Sequence, residues 1–157
     1  MHRESYSSME EFANKYSKPG MSVLDVGGAD VNGSYKPLFL ECKYQSLDFE
    51  NADIIVKDGE PWPIGPQSYD IVISGQTLEH DPMFWKTLTS MSAALKAGGY
   101  MCIIVPSRGV VHRYPVDCYR FLGDSMKAFA KWMGHELIEH KYFKKAKWGD
   151  VVGVFKK

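Results

Sequence analysis

Long apolar runs, charge imbalance and paired cysteines are all missing from this 157-residue chain. No apolar run approaches the ~20 residues that a membrane-spanning helix needs. The first residues, MHRESYSSMEEF, are polar and lack the apolar core of a signal peptide. Lys plus Arg number 19 and Asp plus Glu number 19, so no net charge steers the chain toward nucleic acid or an anionic membrane. Cys42, Cys102 and Cys118 are an odd set without a CxxC pair. They read as free thiols in a reducing compartment, which makes a cytoplasmic location the expectation. GxGxxG spacing and GKS or GKT are also absent, so neither a dinucleotide turn nor a phosphate-cradling P-loop is written here. What is present is 45% apolar and 13% aromatic residues, enough for one folded domain over 1–157 with one core.

Strand-like and helix-like segments alternate along the chain. Ser8 and Glu11 fit a capping box ahead of a helix carrying Met9, Phe12, Ala13 and Tyr16, which stops before Lys18-Pro19-Gly20. Met21–Val26 is a short apolar strand, and Tyr35–Leu40 a short helix. Tyr44–Phe49 and Ala52–Lys57 are brief strands, 58–68 is a Pro- and Gly-rich loop, and Tyr69–Ser74 is a buried strand. Asp81 and Pro82 open a helix striped by Phe84, Leu88, Met91 and Leu95 and closed by Gly98-Gly99. Tyr100–Val105 is continuously apolar, as a strand covered on both faces is. A polar-aromatic loop follows, then a helix capped by Asp124 and stopped at Gly134, then strand-like segments Glu136–Phe143 and Trp148–Phe155. This order predicts an α/β fold: a Rossmann-like, doubly wound, mostly parallel sheet ending in an antiparallel strand pair.

Ligands of such sheets lie outside the C-terminal strand ends, where strand order reverses. The first strand ends in Asp25-Val26-Gly27-Gly28-Ala29. Small residues there let a ligand approach the backbone, although a bare turn would look the same. Asp48, about 20 residues beyond the glycines and followed by Phe49, suits the hydroxyls of a ribose. Asp58-Gly59 follows the third strand, where the acid suits an exocyclic amine of adenine. An acid immediately before the glycine turn is a poor neighbour for a pyrophosphate and a good one for an ammonium. A nucleoside joined to an amino acid, S-adenosylmethionine, meets all three acids.

The ordered set VLDVGGADVNGSY, SLDF, KDGEPWPIGPQSYDIVIS, GQTLEHDP and LKAGGYMCIIVPS resembles the class I S-adenosylmethionine-dependent methyltransferases of the small type 11 sort, over Val23 to Trp132. The resemblance implies that Asp25, Gly27, Gly28 and Ala29 line the methionine end of the cofactor. It places Asp48 and Phe49 at the ribose and adenine, and Asp58 and Gly59 at the adenine. Ser74, Gly75 and Gln76 run past the sulfonium, and Glu79-His80 matches the Glu-His pair common after the fourth strand, with His80 shaping the cofactor pocket. Ala29 stands where relatives usually carry glycine, so its methyl group narrows the pocket. His112, Pro115, Asp117 and Arg120 match a His-x-x-Pro-x-Asp-x-x-Arg pattern of a variant associated with surface glycans and secondary metabolites.

The densest functional side chains lie in SRGVVHRYPVDCYRF, after the fifth strand. His112 is the candidate general base, because an unperturbed imidazole titrates near neutrality. Asp117 is placed to orient it, and Tyr114 and Arg120 to bind an acceptor hydroxyl or carboxylate. Asp117 and Arg120, three apart, equally suit a structural pair that pins the loop. Glu79, His80 and Asp81 are adjacent in a turn, where side chains seldom converge on one ion, so no metal is expected. The lysines of 141–157 alternate with aromatics as on a solvated sheet face, so nucleic acid is not the expected partner. One helix before the first strand and no inserted cap predict an open acceptor cleft, or one completed by a second copy of the chain. The expected activity is methyl transfer, to oxygen first, on a glycan, secondary metabolite or other small molecule. The alternative is a non-catalytic domain kept for binding or assembly; a nicotinamide-dependent reductase is opposed by Asp25 and the glycine spacing.

Overall fold

The computed structural model describes residues 2–30, 33–57 and 59–157. Seven strands form one sheet: β1 (Ser22–Val26), β2 (Lys43–Asp48), β3 (Ile54–Ile55), β4 (Tyr69–Gly75), β5 (Leu95–Val105), β6 (Glu136–Tyr142) and β7 (Val151–Lys156). Their order is β3-β2-β1-β4-β5-β7-β6. The pairs from β3 to β5 are parallel, whereas β7 runs antiparallel to both β5 and β6, as the missing helix between the last two strands predicts. The order reverses between β1 and β4, so the ligand crevice of a doubly wound sheet opens at Val26 and Gly75.

Alternation along the central strands feeds two cores. Leu24, Val26, Val72, Met101, Ile103 and Val105 face a layer made by α2 (Phe84–Ala94) and α3 (Ser125–Met133). Val23, Ile71, Ile73, Cys102 and Ile104 face α1 (Arg3–Tyr16) and a 3-10 turn at Lys36–Phe39. β5 contributes to both cores, and its five last residues are fully buried, matching the unbroken apolar run.

Several boundaries differ from the sequence-based expectation, each for a tertiary reason. α1 starts at Arg3, so Ser8 is not its cap; Ser5 and Ser8 lie buried on the sheet-facing side, where small side chains let the helix approach closely. Tyr35–Leu40 is a single 3-10 turn, because buried Tyr35 and Phe39 anchor it before a further turn can form. The helix after Pro82 begins at Phe84 with Met83 at its N-cap, so Asp81 is not its cap and Pro82 is not its first residue; the Asp81 carboxylate instead braces the entry, accepting from the Met83 N–H at 2.8 Å and the Thr87 hydroxyl at 2.5 Å. That helix ends at Ala94, not at Gly98-Gly99. Leu95 already pairs with Tyr69, and a bulge carrying the glycines separates this pair from Tyr100 against Ile71. Trp148 is not a strand residue; it sits in the turn before β7. No helix among the described residues is long and apolar enough to cross a membrane.

Candidate functional site

The glycine turn after β1 is held from both sides. The Gly27 N–H donates to the Leu47 carbonyl at 2.8 Å, tying the turn to β2. Gly27 has a φ of 79°, and a Cβ there would lie 2.1 Å from the Thr77 side chain. A Cβ on Gly28 would lie 2.8 Å from the Asp25 carbonyl and 2.9 Å from its carboxylate. Both glycines are therefore required by packing, before any ligand is considered.

Asp25 lies directly beneath this turn. It is 3% exposed and accepts a hydrogen bond from the Tyr44 hydroxyl. Burial pushes its carboxyl up to about 7, against the opposing effect of Tyr44, while the neighbouring Asp48 adds to the rise. Asp48 is partly open. Its Oδ2 accepts from the Ala29 N–H at 3.1 Å and its Oδ1 from the Phe49 N–H at 2.7 Å, so two backbone donors fix the carboxylate at the strand end. Phe49 is 60% exposed, an apolar face beside that acid. Gly59 is exposed with a φ of 76°, and Asp58 lies outside the described residues.

β4 ends beside the same turn. The buried Ser74 hydroxyl donates to the Val26 carbonyl at 2.9 Å. Gly75 makes room for Tyr35, whose hydroxyl would be 2.4 Å from a Cβ at 75. Gln76 takes a φ of 60°, and its amide donates to Asp150 Oδ1 at 3.2 Å. Asp25, the glycine turn, Asp48, Phe49 and Ser74–Gln76 thus form one group across β2, β1 and β4. A cleft of about 560 Å³ opens between the start of α1 and Gly33–Ser34, with His2, Arg3, Tyr6 and Glu10 on its wall.

A second group stands over the ends of β4 and β5. A 3-10 turn, Leu78–His80, carries Glu79 and His80. Glu79 is fully buried, and neither carboxylate oxygen has a hydrogen-bond partner among the described residues. Burial pushes its carboxyl up to about 8. His80 Nδ1 lies 2.6 Å from the Val116 carbonyl, and its Nε2 lies 3.7 Å from Glu79 Oε1. Burial lowers the His80 imidazole pKa, and neighbouring His112 adds to that. The two imidazoles meet edge to face, with centroids 4.8 Å apart.

His112 is held by its loop. Its N–H donates to Asp117 Oδ2 at 2.8 Å, its Nδ1 is 3.6 Å from the same oxygen, and its ring packs against Trp148 at 4.8 Å. Asp117 is 2% exposed and takes both terminal nitrogens of Arg120, at 2.5 and 2.7 Å. That pairing holds the Asp117 carboxyl well below its usual range. Arg120 also donates to the carbonyls of Tyr119 and Val110, at 2.7 and 2.9 Å. Its terminal nitrogens are committed inside the loop, as the pinning alternative describes, while its buried Nε makes no hydrogen bond, and Asp117 is near His112 as an anchor. Tyr114 is 54% exposed at the loop surface.

His80 therefore belongs with His112 and Glu79 in this second group. Glu79 and His80 do converge, against the expectation for neighbours in a turn, because the 3-10 geometry turns both toward His112. Asp81 points the other way, into α2. The sequence reading missed Trp148 and Asp150. Asp150 is fully buried between Gln76 and His2, whose Nε2 is 3.3 Å away. Its one signal was being the single acid in a lysine-rich tail.

Comparison with known proteins agrees with this fold. The sequence model of the type 11 family, described as a methyltransferase domain, matches residues 23–103. No curated protein matches in sequence. Among solved structures, the Burkholderia thailandensis 1,6-didemethyltoxoflavin-N1-methyltransferase, with S-adenosylhomocysteine bound, is similar with a TM-score of 0.68 and 16% identity, covering 99% of this chain and 77% of that one. An S-adenosylmethionine-dependent methyltransferase from Methanosarcina mazei reaches a TM-score of 0.73 at 11% identity, covering 93% and 96%. One from Aquifex aeolicus reaches 0.68 at 16%, covering 94% and 88%. At these identities the structures speak for the shared fold.

Proposed function

The chain belongs to the type 11 family of S-adenosylmethionine-dependent methyltransferase domains, and from that premise we propose that it methylates an oxygen of a small-molecule or glycan acceptor. Bound S-adenosylmethionine supplies a methyl group already activated by the sulfonium. The chain's own groups have to hold that cofactor and align an acceptor.

The residues at the β1 and β2 ends fit the cofactor. Asp48 is anchored by two backbone N–H groups and keeps lone pairs for the hydroxyls of a ribose. Exposed Phe49 offers an apolar face to a base. Asp25 places a carboxyl under the glycine turn, where an ammonium would stand above it. Ala29 commits its N–H to Asp48, which fixes the backbone at the position where relatives usually carry glycine.

The observation that carries the oxygen assignment is the second group. His112 and His80 gather beside buried Glu79 above the β4 and β5 ends. Such a set can take or weaken the hold on a hydroxyl proton, which an oxygen acceptor needs more than an amine does. His112 is the member within reach of an acceptor, its side chain 40% exposed, and Asp117 positions it.

Calorimetry with S-adenosylhomocysteine tests the cofactor half. Wild type should bind, and Asp48→Ala should lose about 30- to 100-fold in affinity, the scale of one hydrogen bond to a charged group. Wild type that fails to bind at millimolar ligand, or a variant that binds equally well, overturns the pocket. His112→Ala should keep cofactor affinity and lose turnover on an acceptor found by screening hydroxylated compounds with radiolabelled cofactor; full turnover removes His112 from the chemistry.

A further inference from the structure

Glu79, His80 and His112 each present a ligating atom within 4.8 Å of the other two. The carboxylate is the telling member. It is fully buried, both oxygens lack a hydrogen-bond partner among the described residues, and the nearby Arg120 gives its terminal nitrogens to Asp117 and two carbonyls, its buried Nε making no hydrogen bond to Glu79. A buried carboxylate in that position needs a proton or a cation as its partner.

The imidazoles are set to complete such a partner's shell. A carbonyl only accepts, so His80 Nδ1, 2.6 Å from the Val116 carbonyl, carries the hydrogen, and Nε2 is left with its lone pair toward Glu79. His112 repeats the pattern, with Nδ1 3.3 Å from the Val110 carbonyl. Anchoring one nitrogen to a carbonyl is how proteins orient a metal-ligating histidine. Asp117 and Trp148 hold the His112 ring in place from two further sides. Ligands about 2.1 Å from a tetrahedral ion lie about 3.4 Å apart. Glu79 Oε1 and His80 Nε2, 3.7 Å apart, already stand near that spacing.

We propose that Glu79, His80 and His112 bind one divalent transition cation, leaving coordination positions open to acceptor oxygens. Two imidazoles with one carboxylate favour ions such as Zn2+, Mn2+ or Fe2+ over Mg2+ and Ca2+, which prefer all-oxygen shells. Ion binding stands by itself. Its use on an acceptor rests on the methyl-transfer reading, and there it assigns the His112 lone pair to the ion rather than to a proton.

The test uses tag-free protein stripped with a chelator and titrated calorimetrically with Zn2+, Mn2+ and Mg2+, and with Co2+ while visible d–d bands are recorded. Wild type should take one transition ion per chain at micromolar concentration or below. His80→Ala and His112→Ala should each weaken binding at least tenfold and change the Co2+ spectrum. His140→Ala, on an exposed position of β6, should change neither. Glu79→Gln should weaken binding as well; if it does not fold, the histidine variants decide. No stoichiometric binding at 100 µM free Zn2+ or Mn2+, or histidine variants that bind as wild type does, overturns the site. S-adenosylhomocysteine is titrated into the same preparations. Ion binding without cofactor binding overturns the methyl-transfer reading alone, and cofactor binding without ion binding overturns the ion site alone.

Discussion

The two halves of the crevice are built differently. On the β1–β2 side, Asp25, Gly27, Gly28 and Asp48 sit on or immediately after regular parallel strands, positioned by backbone hydrogen bonds. Over β4 and β5, the groups come from four separate parts of the chain: His2, the 76–80 turn, the 107–120 loop and Trp148–Asp150. Side-chain contacts join them: Gln76 and His2 to Asp150, His80 to the Val116 carbonyl, and His112 against Trp148. A strand-borne site is as stable as its sheet. A loop-borne site is only as rigid as its few polar bonds, and it is freer to vary with the acceptor.

The strand-borne half should break only with the fold. Gly27→Ala combines a positive φ with a 2.1 Å approach to Thr77, and should cost about 2–4 kcal/mol of global stability, read as a lower urea midpoint with unchanged slope. The loop-borne half should break locally. Asp117→Ala leaves a partly buried guanidinium unpaired and should cost about 2 kcal/mol, discounted for the exposure of Arg120. Its S-adenosylhomocysteine affinity should stay within twofold, while turnover falls and hydrogen exchange of 108–120 speeds up. Equal losses of cofactor affinity and turnover would mean that the two halves are one unit.

The smallest effect sharpens the contrast through pH. The Asp25 carboxyl is raised to about 7 from an ordinary 3.8, so the folded state holds its proton after the unfolded state has lost it. Its contribution to stability therefore declines as pH rises from about 4 to about 7. Asp70 behaves oppositely. Burial acts upward on it, but hydrogen bonds from Lys96 and Ser22 bring it down to about 2, so its contribution is lost as pH falls from about 4 toward 2. Urea melts of wild type and Asp25→Asn across pH 4–8 should differ in slope against pH; parallel curves would show that Asp25 is not strained by burial.

Local pattern was enough wherever backbone periodicity places a residue. The apolar run of β5, the Gly134 stop of α3 and the acid at the end of β2 are where the sequence puts them. Pattern was insufficient for Ser8, whose capping-box spacing is real but whose hydroxyl is buried against the sheet. It was insufficient also for Trp148, which the alternation of the tail counted as strand and which instead packs on His112 and Gly109.

By itself the sequence determined the fold class, the antiparallel finish and the order of acids at the strand ends. Those follow from periods of 2 and 3.6 and from turn residues, which act over a few neighbours in the chain. Only the tertiary structure decided that Asp25 is covered by its own glycine turn, that Arg120 is spent on Asp117, and that Glu79 and His80 meet His112. Those contacts join residues up to 33 positions apart through irregular loops, where no period links sequence to direction and the competition for buried hydrogen bonds sets each side chain's place.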